Sequence, residues 1–287
     1  MTFNPWQPIA TEIAGPNNGK VVLRRRTYGD SKLGNTGTIF LVPGMEGSGE
    51  SCVHLVEQVL LHAVEAGLAY HLDLIDYSAE RCGQFDELAR AVNALMRTQL
   101  ALRASTVKVN SAILWAQSFG NLLALAAASL GDLQFSNAVL VSPFTNLPPW
   151  TLVPAVAATT ITPTPLYRAT IGPIARYLFG PAGDQPEHAF FAAMKRADAP
   201  TVHRRIAWLK GADFSSLFVR NKLETTVFLG TQDRLIDLQK QRNFFSELPY
   251  ICGSYRFAEI AGSGHVVLPS NVVARAAKDI YLNLFKN

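Results

Sequence analysis

SAILWAQSFGNLLALAAASLG, residues 111–131, is the stretch of sequence that decides the fold. Its short apolar start, Ser111–Trp115, predicts a buried strand, and its Ala- and Leu-rich second half, Phe119–Leu130, predicts a buried helix. Gln, Ser, Gly and Asn lie near its middle, where their polar groups would be costly in lipid, so a membrane span is not predicted. The sequence predicts instead a strand, a tight turn and a helix in direct succession.

The turn is AQSFG, residues 116–120, in which small residues flank a serine and Ala replaces the usual first Gly. A turn this tight excludes large side chains at its flanking positions, strains the serine and raises its hydroxyl at the edge of a sheet. The same short pattern also occurs by chance in many proteins. Its place between a predicted strand and a predicted helix favours Ser118 as a nucleophile.

A serine hydroxyl is a poor nucleophile without a base, and the chain has six histidines. His265 differs from the others because it ends the stretch AGSGH (261–265), after a predicted strand and before the last helix. Glycines in this loop allow the histidine to reach a neighbouring strand end. The alternative is a loop histidine that makes ordinary hydrogen bonds.

A base histidine needs an acid that fixes its tautomer and stabilises its charged form. Asp233 ends the stretch LGTQD (229–233), after the predicted strand 225–230. The carboxyl ends of strands are where sites gather in parallel sheets, although Asp233 could also be an ordinary turn aspartate. Asp237 is a weaker candidate because it falls inside the following segment.

Short β-branched runs alternate with amphipathic windows along the chain, which predicts a mostly parallel sheet with helices on both faces. The predicted strands are 21–29, 38–44, 70–78, 111–115, 137–144, 225–230 and 254–260. The predicted helices are 51–66, 85–103, 119–130 and 271–285. The arginines of the first strand are expected on or near a solvated edge of the sheet.

The order Ser118, Asp233, His265, with the acid and the base after the last two strands, resembles the α/β-hydrolase superfamily over nearly the whole chain. The resemblance implies an α/β-hydrolase fold with a helical cap insertion and a Ser-His-Asp triad. It also implies hydrolysis of a carboxylic ester with a small or medium apolar acyl group, without a cofactor. Perhydrolysis, acyl transfer and lyase chemistry use the same fold, so the fold alone does not select the reaction.

The resemblance also implies an oxyanion hole, which needs two backbone N–H donors. One donor is the residue after the nucleophile, Phe119, and the other is Met45 in the loop PGMEG (43–47). Most relatives carry His-Gly in this loop. This chain lacks that histidine, and the difference concerns the hydrogen bonds that support the loop rather than the backbone donor itself. The pattern LVPGxxGSG is also similar to thioesterases that release an acyl group from CoA or a carrier protein, which is the alternative function.

The same loop has two rival interpretations. GMEGSGES (44–51) resembles a phosphate-binding loop, but Glu50 replaces the essential lysine and would repel phosphates. Read as a dinucleotide-binding pattern, it has Cys52 where the third glycine should be, although Asp76 ends the next strand as a ribose-binding acid would. A non-catalytic hydrolase-fold or dinucleotide-binding protein is the alternative of another class, and it leaves the candidate triad unexplained.

Residues 145–200 hold nine of the sixteen prolines, a density that breaks regular elements into short pieces. We therefore expect a cap or lid of short helices at 145–220, inserted between the core parts 1–144 and 221–287.

Apolar and aromatic cap residues are candidates for substrate binding, in particular Trp150, Val156 and Tyr167. The alternative is that they simply pack the cap onto the core.

Composition and charge exclude several classes of protein. The 287 residues are 48% apolar and 17% charged, which excludes a disordered chain. Three cysteines without CxxC spacing fit a reducing compartment, and His54 and His62 match no metal pattern, so no metal is expected. The net charge of +4, with 24–26 as the only basic run, predicts no nucleic-acid partner.

The expected partner is a small-molecule ester or thioester, and the oligomeric state is not determined by the sequence. No targeting segment or apolar span is visible, so we expect a cytoplasmic protein without stable membrane insertion.

Overall fold

One twisted sheet runs through the computed structural model, which describes residues 5–15, 19–29, 36–104, 112–131, 133–151, 199–267 and 270–285. Within these ranges the strands are β1 (Gln7–Ile13), β2 (Lys20–Tyr28), β3 (Thr36–Val42), β4 (Ala69–Asp76), β5 (Ala112–Gln117), β6 (Asn137–Val141), β7 (Thr225–Gly230) and β8 (Tyr255–Ile260). Their order in the sheet is β1-β2-β4-β3-β5-β6-β7-β8. Every pair from β4 to β8 is parallel, whereas β1 and β2 join antiparallel, which confirms the predicted mostly parallel sheet.

Helices cover both faces of this sheet, as predicted. In chain order and among the described residues they are α1 (Val53–Glu65), α2 (Phe85–Ala104), α3 (Phe119–Ser129), α4 (Ala199–Leu209), α5 (Ser215–Arg220), α6 (Leu238–Cys252) and α7 (Ser270–Phe285). Helices α1 and α7 pack together in one apolar cluster, and the other five belong to a second cluster on the opposite face. No helix in the described part of the chain is long and apolar enough to cross a bilayer.

The segment 112–129 lies at the centre of the molecule because neither of its elements has a polar face. All six residues of β5 are buried, with β3 on one side and β6 on the other. Strands that are covered on both faces have near-continuous apolar sequences, as this one does. Helix α3 is buried from Phe119 through Ala127, so the turn between the two elements is joined at both ends to buried residues.

The parallel strands bring the candidate site residues to one edge of the sheet. β3, β5, β7 and β8 all run in the same direction, so the loops that follow them lie together. These loops carry Met45, Ser118, Asp233 and His265, in that order.

The arginines of β2 lie near the edge of the sheet, as expected, but not on it. β1, which the sequence did not predict, pairs with β2 and forms the edge. Most of its residues are exposed, so it lacks the apolar alternation that marks a strand. Each arginine of β2 forms an ion pair: Arg24 with Asp76 at 2.7 Å, Arg25 with Asp73 at 2.6 Å and Arg26 with Glu57 at 2.5 Å.

The predicted cap is described only at its two ends. Its final part contains α4 and α5, helices of 11 and 6 residues, in keeping with the expected short elements. Residues 152–198, with Val156 and Tyr167, lie outside the described residues, so the domain boundaries remain a prediction.

Candidate active site

Ser118 occupies the turn between β5 and α3 in a strained backbone conformation. Its φ is 54° and its ψ is −127°, in a region that residues with side chains rarely adopt. Gly120, two residues after Ser118, has to be small because of its packing. A Cβ there would lie 2.0 Å from the carbonyl oxygen of Pro43 and 2.4 Å from that of Val42. The serine turn therefore packs directly against the end of β3.

Asn121, which the sequence did not single out, supports this turn from the first turn of α3. Its fully buried side chain donates hydrogen bonds of 2.9 Å to the carbonyl oxygens of Ser118 and Val141. The backbone N–H of Ser118 donates to the same Val141 carbonyl at 3.0 Å. Asn121 thus ties the strained turn to the end of β6.

The structure brings Ser118, His265 and Asp233 into one chain of hydrogen bonds. Ser118 Oγ lies 2.7 Å from His265 Nε2, and His265 Nδ1 lies 2.7 Å from Asp233 Oδ2. A carboxylate can only accept hydrogen bonds, so Nδ1 is the protonated nitrogen and Nε2 is the nitrogen that can accept the serine proton. The histidine and the aspartate are buried, at 1% and 5% exposure, and the serine is partly exposed. This arrangement is suited to activating a serine.

The loops that carry the acid and the base are joined to each other through their backbones. Gln232 N–H donates to the carbonyl of Ser263 at 2.8 Å, and Thr231 N–H donates to the carbonyl of Ile260 at 3.1 Å. A Cβ at Gly230 would lie 2.2 Å from the carbonyl oxygen of Gly264, so only glycine allows this approach. The two loops consequently form one unit.

The two acid candidates have different surroundings. Asp233 uses its second carboxylate oxygen, Oδ1, to accept the N–H of Leu235 at 2.9 Å, which fixes the carboxylate toward His265. Asp237 caps the N-terminus of α6, where its side chain accepts the N–H of Lys240 at 3.2 Å. The geometry therefore favours Asp233 as the partner of the histidine.

The loop after β3 passes directly over the serine. The Cβ position of Gly44 lies 3.6 Å from Ser118 Cβ, which places the neighbouring Met45 amide beside the nucleophile. None of the described residues accepts a hydrogen bond from that amide. Phe119 is the first residue of α3, and N–H groups in the first turn of a helix have no partner within it. Both predicted oxyanion donors therefore border the serine.

Glu46, in the same loop, places a buried carboxyl group near the serine. Its Oε1 accepts a 2.5 Å hydrogen bond from Ser51, and its Oε2 lies 3.0 Å from the Cβ position of Gly44. Burial raises the pKa of Glu46, an effect that Ser51 and the charge of Arg205 partly oppose. A neutral carboxyl group at this position does not repel an oxyanion, whereas an ionised one does.

Of the predicted substrate-binding residues, only Trp150 lies among the described ones, and it is 63% exposed. The structure also places an apolar residue beside the histidine: the ring centre of Phe144 lies 6.4 Å from that of His265. The site is thus partly apolar next to its base.

The residues that suggested other sites are engaged elsewhere. Asp76 pairs with Arg24 at 2.7 Å and accepts the Ser78 hydroxyl at 2.6 Å, so the chain's own groups occupy the carboxylate that would bind a ribose. In the described ranges, no group of three or more His, Cys, Asp or Glu side chains could hold a metal ion.

Comparison with known proteins gives a family match and many structural neighbours. The model of the alpha/beta hydrolase family matches residues 39–277. None of the curated proteins matches the sequence significantly.

The structural neighbours resemble the chain over almost its whole length at low sequence identity. A bromoperoxidase from Bacillus anthracis has a TM-score of 0.71 at 15% identity, covering 97% of this chain and 100% of its own. An esterase from Exiguobacterium antarcticum has a TM-score of 0.69 at 12% identity, covering 97% and 98%. An esterase from Rhodococcus sp. ECU1013 has a TM-score of 0.67 at 17% identity, covering 96% and 97%. At these identities the likeness establishes the fold.

Proposed function

The chain belongs to the alpha/beta hydrolase family, and from this premise we propose that it is a serine hydrolase that cleaves carboxylic esters of small or medium apolar acyl groups. The observation that carries the proposal is the pair of 2.7 Å hydrogen bonds that link Ser118, His265 and Asp233. Two of the structural neighbours are described as esterases, which agrees with this reaction class.

In the first half of the reaction, Ser118 Oγ attacks the acyl carbon and its proton passes to His265 Nε2. Asp233 keeps the imidazole in the required tautomer and stabilises the imidazolium that forms. The carbonyl oxygen becomes an oxyanion, to which the N–H groups of Met45 and Phe119 donate. The C–O bond to the alcohol then breaks, and the leaving oxygen takes the proton from His265.

In the second half, water replaces the alcohol. His265 removes a proton from the water, whose oxygen attacks the acyl-enzyme carbon and regenerates the oxyanion. The bond to Ser118 breaks, the serine recovers its proton and the carboxylic acid leaves. Ser118, His265 and Asp233 already lie within hydrogen-bond distance of one another, so the proton transfers between them require little rearrangement.

The acyl group is proposed to lie against apolar cap residues, among them Trp150, Val156 and Tyr167. Sites for small apolar ligands are lined mainly by such side chains. A thioester has the same acyl carbon with a better leaving group, so the same machinery would also act on acyl-CoA.

The test is labelling with a fluorophosphonate probe combined with hydrolysis of p-nitrophenyl esters from acetate to octanoate. Ser118→Ala is expected to abolish labelling and to lower turnover by about four to six powers of ten, because the nucleophile is lost. Ser142→Ala is the matched control: Ser142 also has a positive φ, of 48°, but is buried, and its substitution should leave both measurements unchanged. Labelling that persists in Ser118→Ala would place the nucleophile elsewhere.

The same assay with acyl-CoA thioesters of matched chain length separates the two substrate classes. The proposal expects a higher kcat/KM for esters than for CoA thioesters of the same acyl group. The reverse ranking would identify the protein as a thioesterase while leaving the triad in place.

A further inference from the structure

Arg205, in α4, reaches the loop after β3 from a distant part of the chain. Its side chain is 1% exposed, and all three guanidinium nitrogens have partners. Nη1 donates to the carbonyl of Met45 at 2.5 Å, Nη2 donates to the carbonyl of Tyr77 at 2.6 Å, and Nε donates to Glu80 Oε1 at 3.2 Å. The guanidinium carbon also lies 4.7 Å from the centre of the Tyr77 ring.

Tyr77, which follows β4, holds the other side of the same loop. Its hydroxyl lies 2.5 Å from the carbonyl oxygen of Gly44 and 2.6 Å from that of Pro43, between which its single hydrogen is shared. The N–H of Gly47 donates to the Gly44 carbonyl as well, at 3.0 Å. Burial raises the pKa of Tyr77, so the hydroxyl remains a donor.

These bonds act on the peptide group that supplies the proposed oxyanion donor. The carbonyl of Gly44 and the N–H of Met45 belong to one planar trans peptide, in which they point in opposite directions. A hydroxyl that holds the carbonyl on the side of Tyr77 therefore keeps the N–H on the other side. Arg205 restrains the next peptide through the carbonyl of Met45, so both peptides around this residue are held.

We infer that Tyr77 and Arg205 are positioning residues that orient the Met45 amide toward the oxyanion, and that α4 thereby completes the active site. The inference rests on the proposed function. It supplies the support that the loop would otherwise lack, since this chain has no His-Gly pair there. The same helix also stacks Trp208 against Phe119, the second proposed donor, at 6.4 Å between ring centres.

Two conservative changes test the inference, each with a matched control. Tyr77→Phe keeps the ring and removes the hydroxyl; Tyr255→Phe is its control, because Tyr255 is also buried and donates to a backbone carbonyl, that of Phe218, at 2.6 Å. Arg205→Lys keeps the positive charge and removes the planar guanidinium group. Arg204→Lys is its control, because Arg204 also pairs with Glu80, at 2.9 Å, and makes no hydrogen bond to Met45 among the described residues.

The measurements are kcat and KM for p-nitrophenyl butyrate and the affinity for an alkyl boronic acid, whose tetrahedral adduct carries the negative charge of the oxyanion. Tyr77→Phe and Arg205→Lys are expected to lower kcat about tenfold to a hundredfold with little change in KM, because a misdirected donor is weaker but not removed. The affinity for the boronic acid should fall by the same factor. Both controls should retain kcat, and urea unfolding shows whether each variant is folded.

Equal losses of kcat in Tyr77→Phe and Tyr255→Phe would overturn the inference, as would a loss of kcat with unchanged affinity for the boronic acid. If Arg205→Lys does not fold, the result for Tyr77→Phe decides. Failure of the proposed function gives a different result, since wild-type protein would then neither hydrolyse the ester nor be labelled at Ser118.

Discussion

On one side of Ser118, the loops that carry Asp233 and His265 are held to each other by backbone hydrogen bonds, whereas on the other side the two peptides around Met45 are held by the side chains of Tyr77 and Arg205. The first pair of loops follows neighbouring strands, β7 and β8. The second loop depends on Tyr77 and on Arg205, which is 160 residues away in the sequence. The backbone-held loops should keep their conformation after most side-chain changes other than those at their glycines, and the side-chain-held loop should change conformation after single conservative changes.

The largest effect is expected from Asp233→Asn, on the backbone-held side. The amide leaves the loop geometry intact but favours the wrong tautomer of His265, so turnover of p-nitrophenyl butyrate should fall by about four powers of ten. Asp237→Asn is the control and should leave turnover nearly unchanged, because Asp237 caps α6. If the two variants rank in the opposite order, Asp233 is not the acid.

The second effect concerns Gly230, where the two backbone-held loops meet. Gly230→Ala places a methyl group against the carbonyl of Gly264, so the free energy of unfolding should fall by about 3 kcal/mol, toward the upper end for overpacking. Urea unfolding measures the change. Gly83→Ala serves as the control, since its Cβ would meet its nearest neighbour, Glu87, only at 3.7 Å. A Gly230→Ala variant as stable as Gly83→Ala would show that the loops separate easily.

The smallest effect is expected on the side-chain-held side, from Glu46. Burial raises the pKa of Glu46 above its ordinary value of 4.5, so the folded protein binds this proton more tightly than the unfolded chain does. The resulting stabilisation is present in acid and is lost as the pH rises above that ordinary value. Glu46→Gln cannot titrate, so its free energy of unfolding, relative to wild type, should increase between pH 5 and pH 8.

Unfolding by urea at several pH values measures this difference. Glu247→Gln, at an exposed position in α6, is the control and should show no such trend. A constant difference between Glu46→Gln and wild type across this range would contradict the raised pKa.

Much of the fold and the backbone-held half of the candidate site could be predicted from local patterns. The apolar run of β5, the small residues around Ser118 and the Ala- and Leu-rich α3 lie within twenty-one consecutive residues. Asp233 and His265 each follow a predicted strand, and parallel strands end at one edge. Sequence periodicity therefore predicted that Asp233 and His265 lie at the same edge of the sheet, although it gave no distance between their side chains.

The sequence by itself determined the alternation of strands and helices, and with it the edge of the sheet at which the candidate triad gathers. Only the tertiary structure decided that the exposed strand β1 forms the edge of the sheet and that the arginines of β2 form ion pairs with carboxylates. It also decided that Tyr77 and Arg205 hold the loop of Met45. The physical reason is distance along the chain: a strand or turn is encoded by neighbouring residues, whereas a buried arginine is directed by partners that only folding brings within hydrogen-bond range.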